Sequence, residues 1–188
     1  MARLPYLKQS DLAAADQDLL ARDINLFRAL AHSPNGARSF LNLGKFIRHQ
    51  SRLDPRLREL AILQVGYVTR SPYEYSHHIK IARDFGVSDD DIRAMIEETA
   101  GRETRLEPLA KAVLRAAREM TLEHGLSDET FAALRSGLDN ERVTDLVMTI
   151  AFYNGVVRLL GALQIDVEES YRRYLDEFPL PSASSSSK

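Results

Sequence analysis

The stretch Asp54-Pro55-Arg56-Leu57-Arg58-Glu59-Leu60-Ala61-Ile62-Leu63-Gln64-Val65-Gly66-Tyr67-Val68-Thr69 decides the fold. Asp54 offers a side-chain oxygen to the orphan amides of a first helical turn. Pro55 falls at the first helical position, where a missing N–H costs nothing. From Leu60 to Val68 the segment is apolar on nearly every side, with Gln64 the polar exception. A helix with no solvent face is buried on several sides, so this one is predicted to be the central helix of its domain. Directly after it, Ser71-Pro72-Tyr73-Glu74 combines an N-cap serine, an N1 proline and an N3 glutamate. That pattern predicts a capping box, opening a second helix that ends at Gly86.

Working outward, helical punctuation recurs along the chain. Upstream, helices are predicted from Asp16 to Ala31, stopping before Pro34, and from Gly36 to Ile47. Downstream, Ser88 with Asp91 caps another, and Pro108 to His124 forms one closed by Gly125. Ser127 to Arg135 follows, closed by Gly137. Asp139 then opens a long helix in which Val143, Leu146, Val147, Ile150, Ala151, Asn154, Val157, Arg158 and Gly161 fall on or near one face. An amphipathic helix from Val167 to Phe178 comes last. No segment has strand periodicity and no repeat is present, so the expected class is all-α, a compact multi-helix bundle. Residues 1–14 are expected to be a flexible lead, 15–178 a single helical domain, and 179–188 a disordered Ser-rich tail.

Composition narrows the function. The 188 residues include 25 Lys plus Arg against 27 Asp plus Glu, with the basic residues scattered and not gathered into a stripe. No nucleic-acid partner is suggested. No apolar run approaching a membrane span and no signal-peptide core is found, which predicts a soluble cytoplasmic protein without a membrane partner. There is no cysteine. Disulfides, thiolate metal sites and thiol redox cycles are therefore excluded by inventory.

The ionisable groups gather around the central helix. Glu74 and His78 are four residues apart and share one helical face, where acid and base can touch. Glu59 lies in the early turns of the preceding helix. This stretch resembles the carboxymuconolactone decarboxylase and alkylhydroperoxidase D-like family. That family has a Glu, eleven residues, Cys-x-x-Cys, three residues and then His. Glu59 stands at the family's relay glutamate, Ser71 and Glu74 where the two cysteines fall, and His78 at the relay histidine. The likeness continues through Ala82-Arg83-Asp84-Phe85-Gly86-Val87-Ser88 and resumes over Ala151 to Leu160.

What the resemblance implies is an alkylhydroperoxidase D-like bundle assembled as homo-trimers or homo-hexamers, with its site near a subunit interface. The missing cysteines rule out the family's thiol peroxidase chemistry in this chain. The decarboxylase branch implies a cofactor-independent lyase that acts by proton transfer on a small carboxylated molecule, a lactone or product of aromatic catabolism. His78, Glu59 and Glu74 are then the expected catalytic residues. Arg158 is the expected carboxylate clamp, with Tyr73, Tyr153 and Asn154 as further substrate ligands. Each has a plainer reading. Capping alone explains Glu74. Tyr73 and Tyr153 suit a core, Asn154 suits an interhelical hydrogen bond, and Arg158 needs a partner such as Glu59, Glu74 or Asp145. His77 and His78 diverge by about 100° on a helix and cannot chelate one ion. No metal and no cofactor are expected. A non-catalytic small-molecule binding or assembly protein on the same scaffold is the alternative.

Overall fold

In the computed structural model, which describes residues 2–181, the central helix is α3, Pro55–Val68. Asp54 caps it, its carboxylate accepting the Leu57 N–H at 3.0 Å. Every residue from Leu57 to Tyr67 is buried, as the absence of a polar face requires. Three helices enclose it: α4 (Pro72–Asp84), α6 (Pro108–Leu122) and α8 (Asn140–Leu163). Gln64, the polar exception, accepts hydrogen bonds from the Thr99 hydroxyl at 3.0 Å and from Arg118 at 3.1 Å. Around this centre lie α1 (Asn25–Leu30), α2 (Pro34–His49), α5 (Asp89–Thr99), α7 (Asp128–Arg135) and α9 (Glu169–Glu177). No strand occurs among the described residues. The all-α class and its bundle architecture stand.

Local capping signals succeeded where their partners are local. Ser88 and Asp91 form a capping box, Ser127 accepts the Thr130 amide, and Asp139 accepts the Arg142 amide. They failed where a distant group intervenes. The helix expected over Asp16 to Ala31 is a 3-10 segment, Ala14–Leu20, then a break at extended Ile24, then α1. The cap of α1 comes from across the fold, Glu168 accepting the Asn25 amide at 2.7 Å. Helix α2 starts at Pro34, using proline as its first residue where the sequence pattern reads as a stop. Ser71 makes no side-chain cap at α4, so the predicted capping box does not form.

Near the start of the chain, Arg3 N–H donates to the Leu163 carbonyl at 2.9 Å, and the Tyr6 hydroxyl accepts the Asp166 amide at 2.8 Å. Residues 182–188 of the expected tail lie outside the described residues. No apolar run of membrane-span size was expected, yet α8 is long and apolar enough to cross a membrane by length and composition alone. In the fold it is a core wall, packed against α3, α6, α4 and α7.

The crossing of α3 over α4 fixes everything that follows. Gly66 lets the two backbones meet, because a Cβ there would lie 3.2 Å from both Cα and N of Tyr75. Backbone atoms of a packed helix cannot swing aside as a side-chain tip can. Gly66→Ala should therefore destabilise the protein by about 1–3 kcal/mol despite alanine's better helix propensity. A denaturant midpoint equal to or above that of the wild type would refute this reading of the crossing.

Candidate active site

Four charged side chains meet in the α3–α4 crossing, all but sealed from solvent: Arg58 (2% exposed), Glu59 (1%), Glu74 (3%) and His78 (4%). Arg58 and Glu59 come from the second turn of α3, and Glu74 and His78 from one face of α4. Glu59 is shared: one oxygen accepts from Arg58 Nε at 3.1 Å, and the other lies 2.7 Å from His78 Nδ1. Arg58 also donates to the Arg48 carbonyl at 3.1 Å and stacks its guanidinium 4.5 Å over the Phe85 ring. On the far side of the imidazole, Glu74 Oε1 lies 3.0 Å from His78 Nε2. That contact lies within ion-pair range, although the oxygen makes no geometrically regular hydrogen bond.

An imidazole with a carboxylate at each nitrogen is served best as imidazolium, because only the cation carries a proton on both. Burial opposes that charge, but Glu74 and Glu59 outweigh it and raise the His78 pKa above its ordinary value. Burial likewise pushes the Glu59 carboxyl up, yet His78 and Arg58 hold it below the ordinary carboxylate range. With His78 protonated, the array sets two cations against two carboxylates, which is the condition for burying charge at tolerable cost. Both imidazole nitrogens face carboxylates, so neither is left for a metal. No group of three His, Asp or Glu side chains suited to a metal ion occurs among the described residues.

Glu74 and His78 form part of the wall of a cavity of about 190 Å³ between α2, α4 and α8. Its walls are largely apolar and aromatic, with Leu26, Phe27, Phe40, Phe152, Tyr73 and Tyr153 among them. Arg22, Lys45 and Arg48 supply the positive side, with His49 beside them. Arg22, Lys45 and Arg48 make no ion pair with any carboxylate among the described residues, so three cations border an apolar cavity without counter-charge. His77 also lines it. Its ring is stacked between Tyr73 at 4.2 Å and Tyr171 at 3.6 Å, with Nε2 2.7 Å from Glu168. Burial lowers its pKa more than Glu168 raises it, so the neighbouring histidines are pushed in opposite directions.

The structure thus brings Glu59, Glu74, His78, Tyr73 and Tyr153 together. Tyr153 sets its ring edge to His78 at 5.0 Å, while burial and the charges of Glu74 and Glu59 raise its pKa well above the ordinary phenol range. The Tyr73 hydroxyl donates to Glu168 at 3.1 Å and accepts the Leu26 amide at 3.2 Å. Asn154 and Arg158 lie elsewhere. The Asn154 amide ties α8 to α6 by donating to the Thr121 hydroxyl at 2.9 Å. Arg158 is exposed on a different hollow, its guanidinium donating to the Asn154 carbonyl and side-chain oxygen at 2.6 and 2.8 Å. None of its suggested carboxylate partners reaches it, and Asp145 instead accepts from Ser51 and the Arg52 amide.

Sequence reasoning missed Arg58 and the cations of α2 and its approach. Arg58 had one available signal, a long cation in a helix judged buried on several sides. Arg22, Lys45 and Arg48 had none, since a basic residue on an amphipathic helix is ordinarily solvated.

Residues 34–119 match the model of the carboxymuconolactone decarboxylase family. Among solved structures, a peroxidase-related protein from Ralstonia eutropha JMP134, described as an alkylhydroperoxidase AhpD core, superposes with a TM-score of 0.77 at 20% identity. The match covers 93% of this chain and 95% of that one. A peroxidase-related protein from Silicibacter sp. TM1040 gives 0.69 at 18% identity, over 90% and 92% of the two chains. The debrominase Bmp8, as a cysteine-to-alanine variant in complex with 2,3,4-tribromopyrrole, gives 0.78 at 18% identity, over 94% and 99%. At such identities these likenesses establish the fold. No curated protein matches the chain.

The charge array makes stability depend on pH in a defined way. The folded pKa of His78 lies above its ordinary 6.5, so its contribution is complete below that pH and is lost as pH rises through the folded value. The folded pKa of Glu59 lies below its ordinary 4.5, so its contribution is complete above that pH and is lost as pH falls through the folded value. The array should stabilise most at about pH 5 to 6. Arg58→Met, which strips one cation from it, should cost about 3–5 kcal/mol there. Urea titrations across pH check both, and a loss under about 1 kcal/mol would show that Arg58 is not the counter-charge the array depends on.

Proposed function

We propose that this chain, an alkylhydroperoxidase AhpD-like fold whose residues 34–119 carry the carboxymuconolactone decarboxylase family match, is a cofactor-independent acid–base enzyme of lyase type. Its substrate is a small carboxylated molecule with a flat apolar body. The observation that carries this reading is the Glu74 carboxylate. Its Oε1 is buried, has only the 3.0 Å ion-pair contact to His78 Nε2, and stands on the wall of a cavity bordered by cations that have no carboxylate partner among the described residues. Strained and unsatisfied polar groups are costly, and they concentrate where a reacting group takes the missing place.

In the proposed step, the carbon–carbon bond to the departing carboxylate breaks and its electron pair moves into the conjugated lactone as a dienolate. Carbon dioxide leaves. A proton carried on His78 Nε2, beside Glu74, passes to the dienolate carbon, and the pair recovers a proton from solvent. Glu59 and Arg58 hold the imidazole in place and keep it charged between turnovers. Arg22, Lys45 and Arg48 offer positive charge to the substrate anion and to the dienolate as it forms. Phe40, Phe152 and Tyr153 suit a planar ring. The 2,3,4-tribromopyrrole in complex with the Bmp8 variant is also a flat ring, which supports the same shape class of ligand on this scaffold. With no cysteine, no thiol step is available here.

A second reading, binding without turnover, is favoured by one observation: each nitrogen of His78 already faces a carboxylate, Nδ1 in a hydrogen bond to Glu59 and Nε2 at ion-pair distance from Glu74. Steady-state assays separate the two. Incubated with carboxymuconolactone and related carboxylated lactones, the wild type should release carbon dioxide. Glu74→Gln should lose about 10²–10⁴-fold in kcat. Arg48→Ala should act mainly on KM, raising it about tenfold. Binding of these lactones with no release of carbon dioxide, or turnover indifferent to Glu74→Gln and His78→Gln, would overturn the enzyme reading.

A further inference from the structure

A second hollow, of about 610 Å³, opens on the other side of Tyr73, where α4 begins and α8 ends. Its charge is one-sided. Arg70 and Arg158 border it, no acidic residue does, and neither arginine pairs with a carboxylate among the described residues. The start of α4 is also incomplete. Ser71, the N-cap residue, makes no side-chain cap, and the amides of Tyr73 and Glu74 meet no protein acceptor among the described residues. Ser71, a residue only 9% exposed, lines the hollow, and its hydroxyl takes no hydrogen bond among the described residues. A buried serine at an N-cap that leaves its own helix uncapped is unusual, because turning inward would satisfy a free amide at no cost in exposure.

The backbone around the hollow is held in an uncommon state as well. The non-glycine residues at positive φ include Arg70 at 50° and Gln164 at 52°, and both border this hollow. Gln164 ends α8 in the left-handed conformation, and Arg70 joins α3 to α4. Arg158 is aimed from below by Asn154, whose carbonyl and side-chain oxygen take one guanidinium nitrogen and fix its plane.

We propose that this hollow binds a small organic anion, whose phosphate or carboxylate group is received by the start of α4, Ser71, Arg70 and Arg158. The uncapped turn presents amide donors and the positive end of a 13-residue helix. Ser71 adds a hydroxyl donor at the same point. The two guanidinium groups supply full charge, in the planar fork that suits an oxyanion. The hollow is far larger than one such group needs, and Val157, Leu160 and Ile165 line the remainder. That lining suits an apolar or sugar-like remainder of a few carbon atoms. The site is separate from the Glu74–His78 cavity and does not rest on the proposed activity.

The test uses the intact protein titrated with inorganic phosphate and, separately, with acetate at matched ionic strength, followed by amide nitrogen–proton correlation spectra. The expected result is saturable shifts centred on the Ser71, Tyr73 and Glu74 amides. Arg158→Gln and Arg70→Gln should each weaken binding about tenfold, and Ser71→Ala several-fold. Arg70 is exposed and unpaired among the described residues, so its variant keeps the test valid if Arg158→Gln perturbs folding. Saturation by phosphate but not acetate assigns a phosphorylated ligand, and the converse a carboxylate. Absence of saturation by either anion, or equal affinity in the wild type and all three variants, would overturn the proposal.

Discussion

Four charges buried where α3 crosses α4 constrain the rest of this molecule. Arg58, Glu59, His78 and Glu74 are nearly solvent-free, and an ion in such a place is tolerable only with its partner in contact. Glu59 must therefore reach both Arg58 and His78, and Glu74 must fall on the far side of the same ring. This fixes the rotation of each helix about its axis and their register along one another. Gly66 sets the separation, because its missing side chain is what brings the Tyr75 backbone close enough. The remaining helices complete the shell around α3. The cavity lies between α2, α4 and α8, where Glu74 and His78 of that array form part of an otherwise largely aromatic wall.

Much of this was legible in the sequence, and the legible part has a common cause. Helices whose start is decided within four residues, at Asp54, Ser88, Ser127 and Asp139, open where the local chemistry says. The all-round apolar character of Leu60 to Val68 identified the central helix, since no other environment accepts it. The i, i+4 spacing of Glu74 and His78, together with the family spacing of Glu59, was enough to place three of the four buried charges around one centre.

What was hidden has a common cause too, competition between a local and a distant partner. Ser71 and Glu74 carry a complete capping-box pattern, yet Glu74 turns to His78, because a carboxylate beside a buried cation gains more than one beside a backbone amide. The break at Ile24 depends on Glu168, 143 residues from the amide it caps. Arg158 sits on α8 among apolar neighbours, but which hollow that face meets depends on where α4 starts. Arg22, Lys45 and Arg48 look like ordinary solvated residues until α2 is folded over the cavity. In this fold, the pattern that names the centre is local in sequence, and the groups that would recognise a ligand are not.

The charge state of His78 is the point on which the array, the cavity floor and the proton-transfer reading all converge. Nitrogen chemical shifts of its imidazole, measured at about pH 7.5 to 8 on histidine-labelled protein, report that state directly, at a pH where free histidine is mostly neutral. The expected spectrum has both ring nitrogens protonated, with shifts typical of imidazolium. A neutral ring, with one nitrogen protonated and the other bearing a lone pair, would contradict the balanced four-charge array from which the site is built.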